Sequence, residues 1–141
     1  LAVAQIAVEE IGLGTTSIVA ALLHDVVEDT EVEIEDIERD FGKEVAEIVH
    51  GLTDLDEIKD LPTKERKAKQ AERVKNETNS VKRIKIADQT SNIRLVTMDP
   101  KDTWSFEGNK NYAIGAKQIA DNCKGISSVL DEAFEREYKK N

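Results

Sequence analysis

Residues 20–30, with the sequence AALLHDVVEDT, join an apolar run to a dense polar group. The apolar part predicts a helix at the centre of the core, because it is apolar on nearly every side. If the helix continues, His24 and Glu28 lie one turn apart on one face, as do Asp25 and Asp29. Polar groups beside a buried face are costly unless a partner satisfies them, and a divalent metal ion is such a partner. The segment therefore predicts a metal site with a water-activating acid beside it.

Apolar residues recur at helical spacing along the rest of the chain, and no segment shows the alternation expected of a β-strand. Gly12, Gly42 and Gly125 stand where helices are expected to end. The acidic stretch 53–60 is expected to form a loop. We therefore predict an all-α bundle of about seven or eight helices. The expected helices span residues 1–11, 18–27, 33–41, 43–52, 62–76, 81–97, 104–122 and 127–139.

The composition is typical of one globular domain. The 141 residues are 39% hydrophobic and 35% charged, and the low aromatic content of 4% with only two prolines favours helices over a β-sandwich. No apolar run approaches the ~20 residues that a membrane-spanning helix needs, so no membrane partner is expected. Cys123 is the single cysteine, which excludes an internal disulfide. Without a signal peptide, the chain is expected to be cytoplasmic.

Charge is distributed unevenly along the chain. Residues 1–60 hold 17 acidic and 3 basic residues, whereas residues 64–85 hold 9 basic and 3 acidic ones; the net charge of the chain is −9. This net charge opposes binding to nucleic acid in general. The basic segment predicts either a site for a small polyanion or an ordinary solvated helix surface. Because its helix at 62–76 has almost no apolar face, we expect that helix to be loosely held or pinned at one end by a ligand.

Two motifs together resemble the HD-domain metal hydrolases. HDVVEDT at 24–30, followed by Phe41-Gly42, resembles the hydrolase half of the RelA/SpoT family. IKIADQTSNIR at 84–94 is similar to that family's second metal motif, in which an Asp precedes an Asn by four residues. Further residues narrow the resemblance to the small alarmone hydrolases, the Mesh1-like branch; these are Leu61, Pro62, Glu65, Arg66, Trp104 and Tyr112.

The resemblance implies a single HD hydrolase domain over residues 1–141. Family members carry a metal-binding His shortly before a segment like the one that begins at Leu1, so an N-terminal segment is expected to be missing here. The implied activity is that of a metal-dependent guanosine 3′,5′-bis(diphosphate) 3′-pyrophosphohydrolase. Such an enzyme converts (p)ppGpp to GDP or GTP and pyrophosphate, so the expected partner is a small nucleotide substrate.

The same resemblance implies a set of metal and catalytic residues. His24, Asp25 and Asp88 are the implied ligands, and a carboxylate-rich set of this kind suits one Mn²⁺ ion, the metal that the family uses. Glu28 and Asp29 are the implied catalytic pair, which orients and deprotonates the attacking water and protonates the leaving group. For Asp88, a salt bridge on its own helix to a neighbouring Lys or Arg is the alternative.

Six residues are candidates for binding the substrate. Basic side chains are assigned to the phosphates, an amide to a phosphate or ribose oxygen, and two aromatic rings to the wall of a nucleotide pocket. For the amide and the aromatic rings, ordinary hydrogen bonding or packing in the core is the alternative. The six candidates are Asn92, Lys64, Arg66, Lys85, Trp104 and Tyr112.

Two other functions stay open at this point. One is a related HD phosphohydrolase that acts on another nucleotide, such as the 2′-phosphate of NADPH, because the metal chemistry would be shared and only the pocket walls would differ. The other is an HD domain that binds a nucleotide as a sensor without catalysis, which the missing upstream His favours and the intact Glu28-Asp29 pair opposes. The sequence leaves the oligomeric state open.

Overall fold

The computed structural model of the chain describes residues 15–98 and 106–140. Within these ranges every regular element is an α-helix, so the predicted all-α fold is confirmed. The predicted helix at 1–11 lies outside the described residues. The seven helices that the structure describes are α1 (Thr15–Asp29), α2 (Ile34–Phe41), α3 (Lys43–Leu52), α4 (Thr63–Val74), α5 (Asn79–Met98), α6 (Phe106–Asp121) and α7 (Ser128–Lys139).

Several helix ends are fixed by capping residues and by a glycine that the sequence places there. At the start of α2, the backbone N–H of Glu33 donates to Oδ2 of Asp36 at 3.0 Å, and the backbone N–H of Asp36 donates to the backbone oxygen of Glu33. Gly42 separates α2 from α3 with a φ of 97°, a backbone conformation that favours glycine. The side chain of Ser127 accepts a hydrogen bond from the backbone N–H of Leu130 and so caps α7.

Helix α5 runs through the middle of the bundle and packs against α3, α6 and α7, while α1 packs on α3. The buried side chains of α5 include Val81, Ile84, Ile86 and Ile93. Phe134 of α7 is also fully buried. Because α5 is buried on several sides, the polar residues midway along it are held in fixed positions. None of the helices within the described ranges is long and apolar enough to cross a membrane.

The basic helix α4 was expected to be loosely held or pinned at one end by a ligand, and the first of these expectations is wrong. Instead of being loosely held, it packs along α6 and buries Ala71, Val74 and the side chain of Lys67. The aliphatic stem of a lysine supplies apolar surface that a simple count of apolar residues leaves out. Helix α4 is therefore an integral part of the bundle.

Two cations hold the carboxyl end of α3 in place. Arg73 of α4 donates to the backbone oxygens of His50 and Thr53, and Lys85 of α5 donates to the oxygen of Leu52 at 3.2 Å. The last carbonyl groups of a helix lack partners within it and carry partial negative charge, so basic side chains stabilise them. These bonds fix the loop that follows α3, which carries Asp54.

Replacing Ile84 by Ala is expected to lower the free energy of unfolding by about 2–5 kcal/mol, because it leaves a cavity at a fully buried position. Leu95→Ala on the same helix is the control, since Leu95 is 58% exposed; it should change stability by no more than about 0.5 kcal/mol. Denaturant unfolding followed by circular dichroism measures both. Equal losses in the two variants would contradict the central position of Ile84.

Candidate active site

One cavity of about 340 Å³ lies where α1, α4, α5, α6 and the end of α3 meet. It is lined almost entirely by polar and charged side chains. Its described lining consists of His24, Asp25, Glu28, Leu52, Asp54, Arg66, Lys67, Gln70, Lys85, Asp88, Gln89, Asn92 and Tyr112.

The imidazole of His24 is fixed by its own helix. His24 is buried, and its Nδ1 forms a short hydrogen bond with the backbone oxygen of Ala21. A carbonyl oxygen only accepts, so Nδ1 donates to it, and Nε2 is the nitrogen left for other partners. Nε2 lies 3.1 Å from Oδ1 of Asp25. A metal-binding histidine usually donates from its second nitrogen to a carbonyl or carboxylate, and the Nδ1 bond matches that arrangement.

Three potential metal ligands lie together on α1. One ligand atom from each of His24, Asp25 and Glu28 lies within 4.8 Å of the other two. An imidazole nitrogen with two carboxylate oxygens is a donor set for a divalent ion of intermediate hardness. An imidazole nitrogen next to anionic oxygens therefore fits a bound cation, which His24 and Asp25 could hold with the Glu28 carboxyl beside them.

The carboxyl group of Glu28 has a raised pKa. Its burial in the cavity wall is the main cause, because loss of water disfavours the charged form, and the carboxylates of Asp54 and Asp88 raise the pKa further. His24 and Lys85 act in the opposite direction. A carboxyl group whose pKa is raised toward neutrality exchanges protons more readily at physiological pH, which is what a general acid or base requires.

Asp88 lies on α5 and lines the same cavity. Its Oδ2 accepts a hydrogen bond of 3.1 Å from Nε2 of Gln89. The alternative of a salt bridge on its own helix is not adopted among the described residues, since Lys85 donates to Leu52 and Arg94 pairs with Glu137. Asp88 is outside the compact group of three, so its place as a ligand remains a prediction.

The structure brings most of the predicted site residues into this cavity. Of the predicted substrate-binding residues, Asn92, Arg66, Lys85 and Tyr112 line it. Lys64 is exposed and does not belong to the described lining, and Trp104 lies outside the described residues.

The predicted catalytic pair is divided by the structure. Glu28 lines the cavity, whereas Asp29 is exposed at the end of α1 and is not part of the described lining. Glu28 is exposed as well, so the two carboxylates differ in whether they line the cavity, and the catalytic role of Asp29 stays a prediction.

Four polar residues of the cavity were not predicted from the sequence. Gln70 donates to both carboxylate oxygens of Asp54 at 2.8 Å, and the Lys67 ammonium donates to Oε1 of Gln89 at 3.0 Å. Lys67 and Gln70 are three residues apart on α4, so they share a face, and this spacing was the available signal. Asp54 lies in a loop and Gln89 follows a predicted ligand, and neither position has a pattern that points to a site.

Comparisons with known proteins found chains of similar sequence and fold. A family model described as an HD domain matches residues 1–113. The fruit-fly protein named guanosine-3′,5′-bis(diphosphate) 3′-pyrophosphohydrolase MESH1 is 38% identical over 83% of this chain and 66% of its own length. The human protein of the same name is 33% identical over 99% of the chain and 76% of its own length. The chain thus spans about two thirds to three quarters of these relatives.

A solved structure shares the fold over nearly the whole chain. It has a TM-score of 0.89 and 32% identity, and the match covers 98% of this chain and 76% of the other. That structure is described as a metazoan ortholog of SpoT that hydrolyzes ppGpp and plays a role in starvation responses.

Replacing His24 by Ala is expected to weaken Mn²⁺ binding by at least about 100-fold. Loss of a residue that only hydrogen-bonds to a metal ligand already lowers metal affinity by about 10- to 100-fold, and loss of a ligand itself should cost at least as much. His50→Ala is a matched control, since His50 is the other histidine of the chain and is exposed on α3. Isothermal titration with Mn²⁺ measures both affinities. If His24→Ala bound Mn²⁺ as tightly as His50→Ala, the metal group on α1 would be refuted.

Proposed function

The chain belongs to the HD domain family, in the branch that contains the MESH1 proteins, and we propose that it is a metal-dependent (p)ppGpp 3′-pyrophosphohydrolase. The products would be pyrophosphate and GDP or GTP. The observation that carries this proposal is the cavity itself. It combines the candidate metal ligands His24 and Asp25 on α1 with the adjacent Glu28 carboxyl, whose pKa is raised, and with basic side chains from α4 and α5.

We propose Mn²⁺ as the metal. The predicted donors are the His24 imidazole and the Asp25 and Asp88 carboxylates, which all line the cavity. Cys123, the chain's sole cysteine, is buried outside the described lining. Carboxylate-rich sets suit Mn²⁺ better than metals that prefer thiolates. When bound, a divalent cation lowers the pKa of a coordinated water and reduces the negative charge that the phosphates bring into the cavity.

Side chains of the cavity transfer the proton and bind the substrate. Glu28 takes the proton of the attacking water, because its carboxyl lies beside the metal group and has a pKa raised from its ordinary value. Asn92 and Arg66 line the cavity and can donate hydrogen bonds to ribose and phosphate oxygens. Tyr112 provides an aromatic wall, and burial raises the pKa of its phenol to about 12, so the ring stays neutral.

A nucleotide substrate fits the charge of the cavity as a whole. The metal group lies at the acidic end on α1, while Arg66, Lys67 and Lys85 bring three basic side chains from α4 and α5. A molecule with two phosphorylated ends can place one at the metal and the other against the basic side chains. A cytoplasmic location and the absence of a nucleic-acid partner, expected from the sequence, stay predictions.

Purified protein is expected to release pyrophosphate and GDP from ppGpp with Mn²⁺ and to release neither with a chelator. Glu28→Gln should lower kcat by about 10²- to 10⁴-fold, the usual contribution of a general acid or base, while Mn²⁺ affinity changes little. Glu31→Gln, an exposed carboxylate just beyond α1, is the control and should keep full activity.

Three outcomes would redirect this proposal. Release of phosphate from NADPH without pyrophosphate from ppGpp would make the chain a phosphohydrolase of another nucleotide. Tight ppGpp binding without turnover, even with residues added before Leu1, would indicate a sensor. Loss of Mn²⁺ binding in Glu28→Gln, to the extent seen for His24→Ala, would make Glu28 a ligand and remove its role in proton transfer.

A further inference from the structure

Lys67 is a cation buried inside the cavity without an anionic partner. It is 5% exposed, and its ammonium donates to the neutral amide oxygen of Gln89 at 3.0 Å. Within the part of the chain that the structure describes, no carboxylate lies within 4.0 Å of it. The pKa of Lys67 is lowered to about 8, mainly by burial; Asp88 and Asp54 oppose this shift, while the charges of Lys85 and Arg66 add to it.

The surroundings of Lys67 hold its side chain in one position. Its Nζ lies 4.4 Å from the centre of the Tyr112 ring, in a cation–π contact. Gly115 of α6 faces the stem of the lysine, and a Cβ at that position would come within 2.6 Å of its Cδ. A side chain at 115 would therefore push the lysine away, so glycine leaves the room that the buried stem occupies.

The other buried lysine of the cavity is already engaged. Lys85 donates to the carbonyl of Leu52 and so stabilises the end of α3. The Lys67 ammonium has three N–H donors, and Gln89 accepts only one of them. A buried charge without a counter-charge is costly, and an anion that enters the cavity removes that cost.

We infer that Lys67 is the anion subsite of this cavity and binds a phosphoryl oxygen of the substrate, which rests on the function proposed above. The family resemblance and the basic composition of the segment predicted Lys64, Arg66 and Lys85 as the phosphate-binding residues instead. The buried ammonium of Lys67 recognises the phosphoryl group as a point charge, and the Tyr112 ring keeps the side chain directed into the cavity. Binding of the anion keeps Lys67 protonated.

The test is titration of inorganic pyrophosphate into the protein with Mn²⁺ present, with the Mn²⁺ affinity measured separately. Lys67→Met keeps the length of the stem without the charge, and Lys67→Gln keeps a donor for Gln89. Both should bind pyrophosphate at least about tenfold more weakly than the unaltered chain, with unchanged Mn²⁺ affinity. Lys69→Met is the control, because Lys69 is an exposed lysine on the same helix, and it should behave as the unaltered chain.

Two results would overturn the inference. One is pyrophosphate affinity within about twofold of the unaltered chain in either Lys67 variant, well below the expected loss. The other is a fall in Mn²⁺ affinity as large as the fall in pyrophosphate affinity. It would mean that Lys67 affects the site only indirectly, by holding Gln89, which in turn bonds Asp88. Turnover of ppGpp is measured apart from these titrations. If pyrophosphate binds through Lys67 and ppGpp is not cleaved, the proposed function fails and the subsite remains.

Discussion

Repulsion between carboxylates is the constraint on which this structure depends. Asp25, Glu28, Asp54 and Asp88 all line one cavity. Their proximity has a measurable consequence, because Asp54 and Asp88 both add to the raised pKa of Glu28. Such a cavity is stable only when positive charge compensates it, either from the protein or from a bound cation. The fold supplies part of that charge, and the metal group on α1 provides a place for the rest.

The bundle supplies its positive charge through helices that are distant in sequence from α1. Lys85 contributes to the electrostatics of Glu28 while its ammonium bonds the last turn of α3. Arg73 bonds the same helix end from α4. The cations thus join the carboxyl end of α3 to α4 and α5, and the loop they fix presents Asp54 to the cavity. Structural support and charge compensation are therefore provided by the same side chains.

The sequence predicted what depends on local spacing and missed what depends on packing. The bounds of α3, from Lys43 to Leu52, agree with the prediction because a glycine precedes it and its apolar residues repeat at helical spacing. The group on α1 was predictable because its members lie within five residues of one another. Lys67 was not, since its burial requires α6 to lie against α4 with a glycine at position 115. The spacing of Lys67 and Gln70 places them on one face of the helix, but it does not say that this face lies inward.

The end of α1 shows how a helix separates residues that a motif groups together. Successive residues of a helix point about 100° apart, so the stripe of His24 and Glu28 differs from the stripe of Asp25 and Asp29. His24 is buried and Glu28 lines the cavity, while the Asp25 side chain is 55% exposed and Asp29 is outside the described lining. The first stripe therefore lines the cavity along its length, whereas the second reaches it through Asp25 and leaves it at Asp29. The role proposed for Glu28 in proton transfer rests on this position and on a pKa that desolvation raises, because loss of water disfavours the charged carboxylate.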